Sequence, residues 1–403
     1  MLLVISGGHG EDAIGARLLE YLAQTPALAF PLVGEGNAYR RLSQVERVGP
    51  LWKAPSGGFP ANSLLNLWQD LRAGLLKNLI DQYRTAQRLA NNPMIQAVVA
   101  VGDAWTLLLG LRASAFGKKP LFHLQTLISY HYIEERSLLE RLRTPGQLFA
   151  EDYFFYERFM HRFVRAVYVR DPASEQRARA LGMEKARFVG SMAMDTLGPP
   201  EGPLPKDGRP VLALLPGTRG DVVFSLPKML EAARKLPEFQ PLVAWIPPFE
   251  EARLAKGYRL EIQGPDRALA IHPDQRVWLL KGRFSAILHS ARVAVGTAGT
   301  ANEQSVGLGV PVVGFPTPGP QYTYANALRQ KRLLGEGLTL VAPDPKAIAE
   351  AVRALAVEGE PRKKAQSAGR ERFWPLGALP RIACEIRAVV QPQKPENPRN
   401  HPL

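Results

Sequence analysis

The chain of 403 residues contains one cysteine, Cys384. A single thiol closes no internal disulfide and completes no cysteine-rich metal cluster, so the composition suits a reducing compartment, the cytoplasm. No stretch reaches the roughly 18 uninterrupted apolar residues of a membrane-spanning helix. No basic region precedes the first apolar run. That run stops at Gly7-Gly8, so it reads as a strand rather than a signal peptide. There is no Asp-x-Asp pair and no His/Cys/Glu group at metal-ligand spacing, so no metal site and no cofactor are expected. Long basic runs are also missing: Arg362-Lys363-Lys364 is the only three in a row, although the net charge is +14. With no nucleic-acid-binding motif around it, this charge points to anionic small substrates or an anionic membrane surface, and nucleic acid is not an expected partner.

What is present is ample apolar material, 46% of residues against 22% charged, in a length that suits two domains. Short apolar runs such as Leu2–Ser6, Ala97–Val101, Val211–Leu215 and Val293–Val295 alternate with helical spacing at Ala13–Gln24, Ser63–Leu89 and Ala347–Ala356. Strands apolar on both faces and separated by helices imply parallel sheets with helices on both sides. The Pro/Gly-dense stretch Gly198–Pro205 divides two such halves. The expected organisation is a first Rossmann-like domain over 1–197, a linker over 198–206 and a second domain over 207–375. A helix over 376–390 follows the Trp374-Pro375 break and returns to the first domain, and a disordered tail covers 391–403.

Three segments of the second half carry candidate chemistry. Pro216-Gly217-Thr218-Arg219-Gly220-Asp221 follows a strand and opens a helix. Its glycines permit close backbone approach, its helix start offers free N–H groups, and Arg219 adds a positive fork for a diphosphate. Val295-Gly296-Thr297-Ala298-Gly299-Thr300-Ala301-Asn302-Glu303 repeats the pattern. There Thr297 and Thr300 are placed to cap the helix or donate to phosphate, and Glu303, in the first turn, to accept from a ribose. The spacing of Thr300 and Glu303 equally fits a plain capping box. Gln321 and Asn326, in a rigid loop after a strand, offer amides for sugar hydroxyls or cap a helix.

These segments resemble the donor half of lipid-A-disaccharide synthase, a GT-B glycosyltransferase. Pro-Gly-Thr-Arg is similar to that family's Pro-Gly-Ser-Arg, and Gly-Thr-Ala-Gly-Thr-Ala-Asn-Glu to its Ser-Gly-Thr-Ala-Thr-Leu-Glu. The Gln321 to Asn326-Ala327 stretch is similar to a signature of the lipid II synthase MurG. Phe188-Val189-Gly190-Ser191 resembles the Phe-Val-Gly-His stretch before the interdomain linker. The resemblance is strongest to the group related to lipid-A-disaccharide synthase. It implies a GT-B fold, two Rossmann-like domains facing a cleft. It also implies a nucleoside-diphosphate sugar, UDP-linked, at Arg219, Thr297, Gly299, Thr300 and Glu303, with Gly217, Thr218, Gln321 and Asn326 beside them. The implied reaction is inverting, metal-independent transfer to a hydroxyl of a lipid or glycolipid acceptor.

The first half departs from the synthase. Its Ser6-Gly7-Gly8-His9-Gly10-Glu11-Asp12 loop looks more like MurG's Gly-Gly-His, so the acceptor does not carry over. Gly8 and Gly10 flank His9 at a strand end, and Asp103 stands at another. Asp103 is the expected base, with His9 contacting phosphate or acceptor; helix capping is the plain alternative for both. Glu11 and Asp12 read as first-turn helix residues. The line Leu64, Leu67, Trp68, Leu71, Leu75 and Leu79, with Arg72, Lys77 and Arg84 nearby, and the Phe/Tyr-rich stretch 147–164 read as helices packed on the sheet. Peripheral contact with an anionic membrane is the alternative. A nucleotide-sugar 2-epimerase and a non-catalytic nucleotide-sugar binder are the rival functions; the second half offers few carboxylates besides Glu303 for epimerisation.

Overall fold

The computed structural model describes residues 1–52, 64–134, 151–217, 220–319 and 321–390, with α2 side chains from Trp68 onward. Thr218, Arg219 and the tail 391–403 lie outside the described residues. The chain divides into two compact units, Met1–Thr196 with the segment from Pro375, and Leu197–Trp374.

The first unit contains β1 (Leu2–Ser6), α1 (His9–Tyr21), β2 (Ala27–Pro31), β3 (Val45–Arg47), α2 (Leu64–Arg72), α3 (Leu75–Ala90), β4 (Ala97–Val101), α4 (Ala104–Ala113) and β5 (Leu121–Leu124). It continues with α5 (Phe155–Met160), β6 (Ala166–Tyr168), α6 (Pro172–Ala180), β7 (Ala186–Arg187) and α7 (Met192–Asp195). Its sheet order is β3-β2-β1-β4-β5-β6-β7, parallel throughout. Leu2 of β1 lies opposite Ala27 on one side and Ala97 on the other. Every residue of β1, β2 and β4 is buried, because helices cover both sheet faces. One face packs Leu2, Val4 and Val99 against Ile14 and Leu18 of α1 and Ile382 of the last helix; the other packs Ile5, Val98 and Ala100 against Leu107 and Leu111 of α4.

The second unit contains β8 (Val211–Leu215), α8 (Val222–Arg234), β9 (Gln240–Ala244), β10 (Arg259–Ile262), β11 (Arg267–His272), β12 (Gln275–Leu280), α9 (Phe284–Ser290) and β13 (Ala291–Gly296). There follow α10 (Gly299–Gly307), β14 (Val312–Gly314), α11 (Tyr324–Leu334), β15 (Leu338–Leu340), α12 (Pro345–Ala356) and α13 (Glu360–Phe373). The sheet order is β10-β11-β12-β9-β8-β13-β14-β15. From β12 through β9, β8, β13 and β14 to β15 the pairing is parallel, as expected. β10, β11 and β12 pair antiparallel, since the links between them are too short for a crossover helix. Exposed Arg259 and Glu261 mark β10 as a charged edge. The segment after residue 197 is laid along this unit, with Ser285 donating to the Gly198 carbonyl and Gln240 to that of Pro205.

The final helix, α14 (Ala378–Val390), belongs to the first unit and packs on α1. The Asp195 carboxylate accepts from the amides of Gly377 (3.0 Å) and Leu379 (2.6 Å), so α7 caps its start. Gly190, at φ 115°, lets the chain pass Pro375: a Cβ there would stand 2.1 Å from the Pro375 carbonyl oxygen.

The helix expected over Ser63–Leu89 is broken into α2 and α3 at Gly74, which is left-handed at φ 89°. Its expected packing is also corrected. Trp68 and Leu71 are exposed, and α3 buries Asn78, Gln82, Thr85 and Ala86 instead. Trp105 donates to Gln82, and Gln82 to the Leu32 carbonyl, so the polar side of α3 is the one bonded to the unit.

Candidate functional site

In the second unit β8 lies between β9 and β13, so strand order reverses between β8 and β13. Their carboxyl ends form the switch point where such sheets hold ligands. Gly217 follows β8 at φ 83°, and a Cβ there would lie 3.7 Å from the Ala298 Cβ, so the turns after the two strands touch. The Thr297 amide donates to the Leu215 carbonyl (3.1 Å) and its buried hydroxyl reaches Ser225 Oγ (2.7 Å). Thr297 thus ties the two turns together rather than presenting its hydroxyl outward.

The capping box does not form. Ala298 is the N-cap of α10 and makes no side-chain cap bond. Thr300 sits inside the helix, and Glu303 falls in the second turn, largely buried. The first turn carries no acid, and Gly299 and Thr300 are exposed. Uncapped N–H groups and a positive dipole end therefore face outward beside Gly217, an arrangement suited to phosphate oxygens.

A buried residue not singled out from sequence shapes the rim. The Asp221 carboxylate accepts from Thr317 Oγ1 (2.7 Å) and from the amides of Gln321 (3.1 Å) and Tyr322 (2.6 Å). Gly319 is required there, because a Cβ would stand 2.2 Å from Asp221 Oδ1. Gln321 and Asn326 are both exposed and adjacent, Asn326 Nδ2 donating to the Gln321 carbonyl (2.9 Å). Below them Asn302 Nδ2 donates to Gln330 Oε1 (2.8 Å) and to the Gly296 carbonyl (3.2 Å), and Tyr322 also donates to Gln330 (2.6 Å). Only the adjacency of Asp221 to the Pro-Gly turn hinted at this clamp.

In the first unit the order reverses between β1 and β4, which places the His9 loop and Asp103 at one switch point. The Gly7 amide donates to the Val101 carbonyl (3.0 Å), and buried Thr106 packs under Gly7 and Gly102. Asp103 is the exposed N-cap of α4: Oδ1 accepts from the Thr106 amide and hydroxyl, both at 3.0 Å. Gly8 is the N-cap of α1 without a side-chain bond, and His9 and Gly10 are exposed.

Asp12 is more than a first-turn acid, since it is buried at 1% exposure. Its Oδ1 accepts from Ser6 Oγ (2.5 Å), which in turn accepts from Tyr39 Oη (2.9 Å). Its Oδ2 has no hydrogen-bond partner and lies 4.0 Å from His9 Nδ1. Burial pushes the Asp12 carboxyl up to about 7, with the Ser6 bond opposing and the charge of Glu11 adding. Glu11 is raised too, first by burial, and accepts from Thr126 Oγ1 (3.2 Å). Glu157 of α5 is buried with Oε2 unpartnered, and burial lifts it to about 8, with Asp103 among the charges that add. Behind Asp103, His123 Nε2 donates to the Gly102 carbonyl (3.1 Å). A carbonyl only accepts, so the neutral His123 Nδ1 must accept from His161 Nε2 (2.8 Å).

No protein-family model matches the chain, and no curated protein matches it by sequence. Solved structures match over nearly the whole length. A Listeria monocytogenes protein provisionally assigned as a UDP-N-acetylglucosamine 2-epimerase is 13% identical, with 96% of this chain and 95% of that one covered and a TM-score of 0.62. The calicheamicin glycosyltransferase CalG4 is 17% identical over 98% and 99%, with a TM-score of 0.61. MnaA from S. aureus, solved with UDP, is 12% identical over 96% of each chain, with a TM-score of 0.59. The chain has a GT-B-like fold. That fold is shared by UDP-N-acetylglucosamine 2-epimerases and glycosyltransferases, and at these identities the likeness speaks for architecture alone.

Proposed function

We propose that this GT-B-like protein is an enzyme of nucleoside-diphosphate sugars, UDP-linked, that transfers the sugar to a hydroxyl of a lipid or glycolipid acceptor. The diphosphate is assigned to the uncapped start of α10 beside Gly217, with Thr218 and Arg219, the next two residues in sequence, and the ribose to Glu303. Gln321 and Asn326 are assigned to the sugar.

The observation that carries transfer is the pair formed by His9 and Asp12. An exposed imidazole in a glycine loop stands against a buried carboxyl oxygen that lacks any other partner. His9 takes the acceptor hydroxyl's proton, and ionised Asp12 stabilises the imidazolium that results. The hydroxyl oxygen then forms its bond to the anomeric carbon as the bond to the diphosphate breaks, and the uncapped N–H groups of α10 receive the departing charge. Asp103, with Oδ1 held by Thr106, is the alternative base.

The second reading is 2-epimerisation of the same substrate. One of the solved structures above, provisionally assigned that activity, weighs toward it, and several further matches are 2-epimerases, including one from Neisseria meningitidis bound to UDP-GlcNAc. The first unit carries carboxylates of its own, where Glu11, Asp12, Asp103 and Glu157 interact electrostatically. Incubation with UDP-N-acetylglucosamine in D2O without acceptor separates the readings. Deuterium at C2 with appearance of the epimer supports epimerisation. Unchanged C2, with UDP released only when a hydroxyl acceptor is added, supports transfer. UDP binding without either reaction would leave a non-catalytic binder.

A further inference from the structure

Two helices of the first unit are built inside out. α3 buries Asn78, Gln82 and Thr85 while Leu76, Ile80 and Tyr83 are exposed, Leu76 at 63%. α5 buries Glu157, followed by buried His161, while Phe155, Phe159 and Phe163 are exposed, Phe155 at 78%. Trp68 and Leu71 of α2 continue the first stripe. α4 packs against both α3 and α5, so all belong to the helix layer on one face of the first sheet. An apolar side chain left in water forgoes about 1.5–3 kcal/mol of burial, and reversed faces on neighbouring helices point to an apolar phase outside.

The fully exposed charges of these helices are all basic. Arg72 and Lys77, Arg84, Arg158 and Arg162 are all exposed among the apolar residues. The acids of the same helices are withdrawn: Asp70 and Glu157 are buried and Asp81 is partly buried. Arg72 lies over the Trp68 ring at 3.6 Å and Arg162 near that of Phe159 at 5.8 Å, an aromatic–arginine pairing suited to a headgroup layer. A second copy of this chain meeting the same face would set arginine against arginine. No helix among the described residues is long and apolar enough to cross a membrane, so contact would be superficial.

We propose that the outward faces of α2, α3 and α5 form a docking surface for an anionic phospholipid bilayer. The assignment is independent of the sugar chemistry. It is tested by co-sedimentation of the full chain with phosphatidylcholine vesicles and with vesicles enriched in phosphatidylglycerol. Binding to the second kind, weakened by salt, is expected. Phe155→Ser/Phe159→Ser and Leu76→Ser/Ile80→Ser should each lower vesicle affinity by more than about tenfold without lowering Tm, because the residues removed are exposed. Arg276→Glu/Lys346→Glu in the second unit should leave affinity unchanged. The proposal fails if the wild type stays in the supernatant at low salt, or if the control reduces binding as much as the apolar variants do. It also fails if sizing shows a dimer that the Phe155/Phe159 variant splits, since the face would then belong to a second copy.

Discussion

Asp221 and Tyr322 stand 101 positions apart, yet the Tyr322 amide donates to the Asp221 carboxylate at 2.6 Å. That carboxylate also holds Thr317 and the Gln321 amide, so one buried charge at the start of α8 fixes the whole loop after β14. Asp221→Ala leaves two amides and a hydroxyl without their acceptor. The loss should be on the order of 3 kcal/mol of stability, and UDP affinity should fall as the Gln321 rim loosens. Thr317→Val removes one neutral donor and should cost only about 1 kcal/mol. Denaturant melts and titration calorimetry with UDP read both. Equal losses in the two variants would contradict the clamp.

His9 and Asp12 make a prediction about rate and pH together. His9→Ala should lower kcat by about a hundredfold or more, the usual contribution of a positioned base. Asp12 is held by burial at about 7 and ionises above that pH, and the ionised form is the one that stabilises an imidazolium. Activity should therefore rise as pH passes about 7, and Asp12→Asn should remove that rise while UDP binding persists. A pH profile of Asp12→Asn that parallels the wild type would show that Asp12 does not act through His9.

Glu157 affects stability with a definite sign. Its folded pKa of about 8 lies above the ordinary value of 4.5, because burial favours the neutral form. The folded state thus holds the proton more tightly. The stability this gives is complete below 4.5, declines as pH rises toward about 8, and stays lost above it. Glu157→Gln keeps the neutral shape and removes the titration. Compared with wild type it should melt alike in acid and higher above about pH 8. A variant that melts lower at alkaline pH would mean that the carboxylate has a partner there.

The architecture was legible because buried parallel strands are written as continuous apolar runs, as at Leu2–Ser6, Ala97–Val101 and Val293–Val295. β10 was not, since its Arg259 and Glu261 read as loop, and an edge strand needs little burial to persist. The glycine turns at Gly217 and Gly299 announced the second unit's switch point, because tight turns leave few residue choices. Asp12 and Asp221 were hidden for a common reason. A carboxylate near a helix start usually faces water, and only tertiary packing buries Asp12 against Ser6, itself held by Tyr39, and Asp221 against the distant Thr317 and Tyr322. The inverted faces of α3 and α5 were unreadable because periodicity shows that a helix has two sides, not which side meets the sheet.

The uncapped start of α10 permits a test in which helix stability and ligand affinity move in opposite directions. A Cβ at Gly299 meets nothing within 4 Å, so Gly299→Asp fits without strain. An acid in the first turn favours the helix dipole by about 0.3–1 kcal/mol, so Tm should hold or rise. The same charge repels a diphosphate at those N–H groups, and UDP affinity should fall about tenfold or more, while Gly299→Asn, without charge, should bind nearly as the wild type does. Because the N–H groups and Arg219 are assigned the work of neutralising the phosphates, excess EDTA should leave the wild-type UDP affinity unchanged. Undiminished UDP binding by Gly299→Asp would remove α10 from the site. Binding abolished by EDTA and restored by magnesium would show instead that a cation carries the diphosphate.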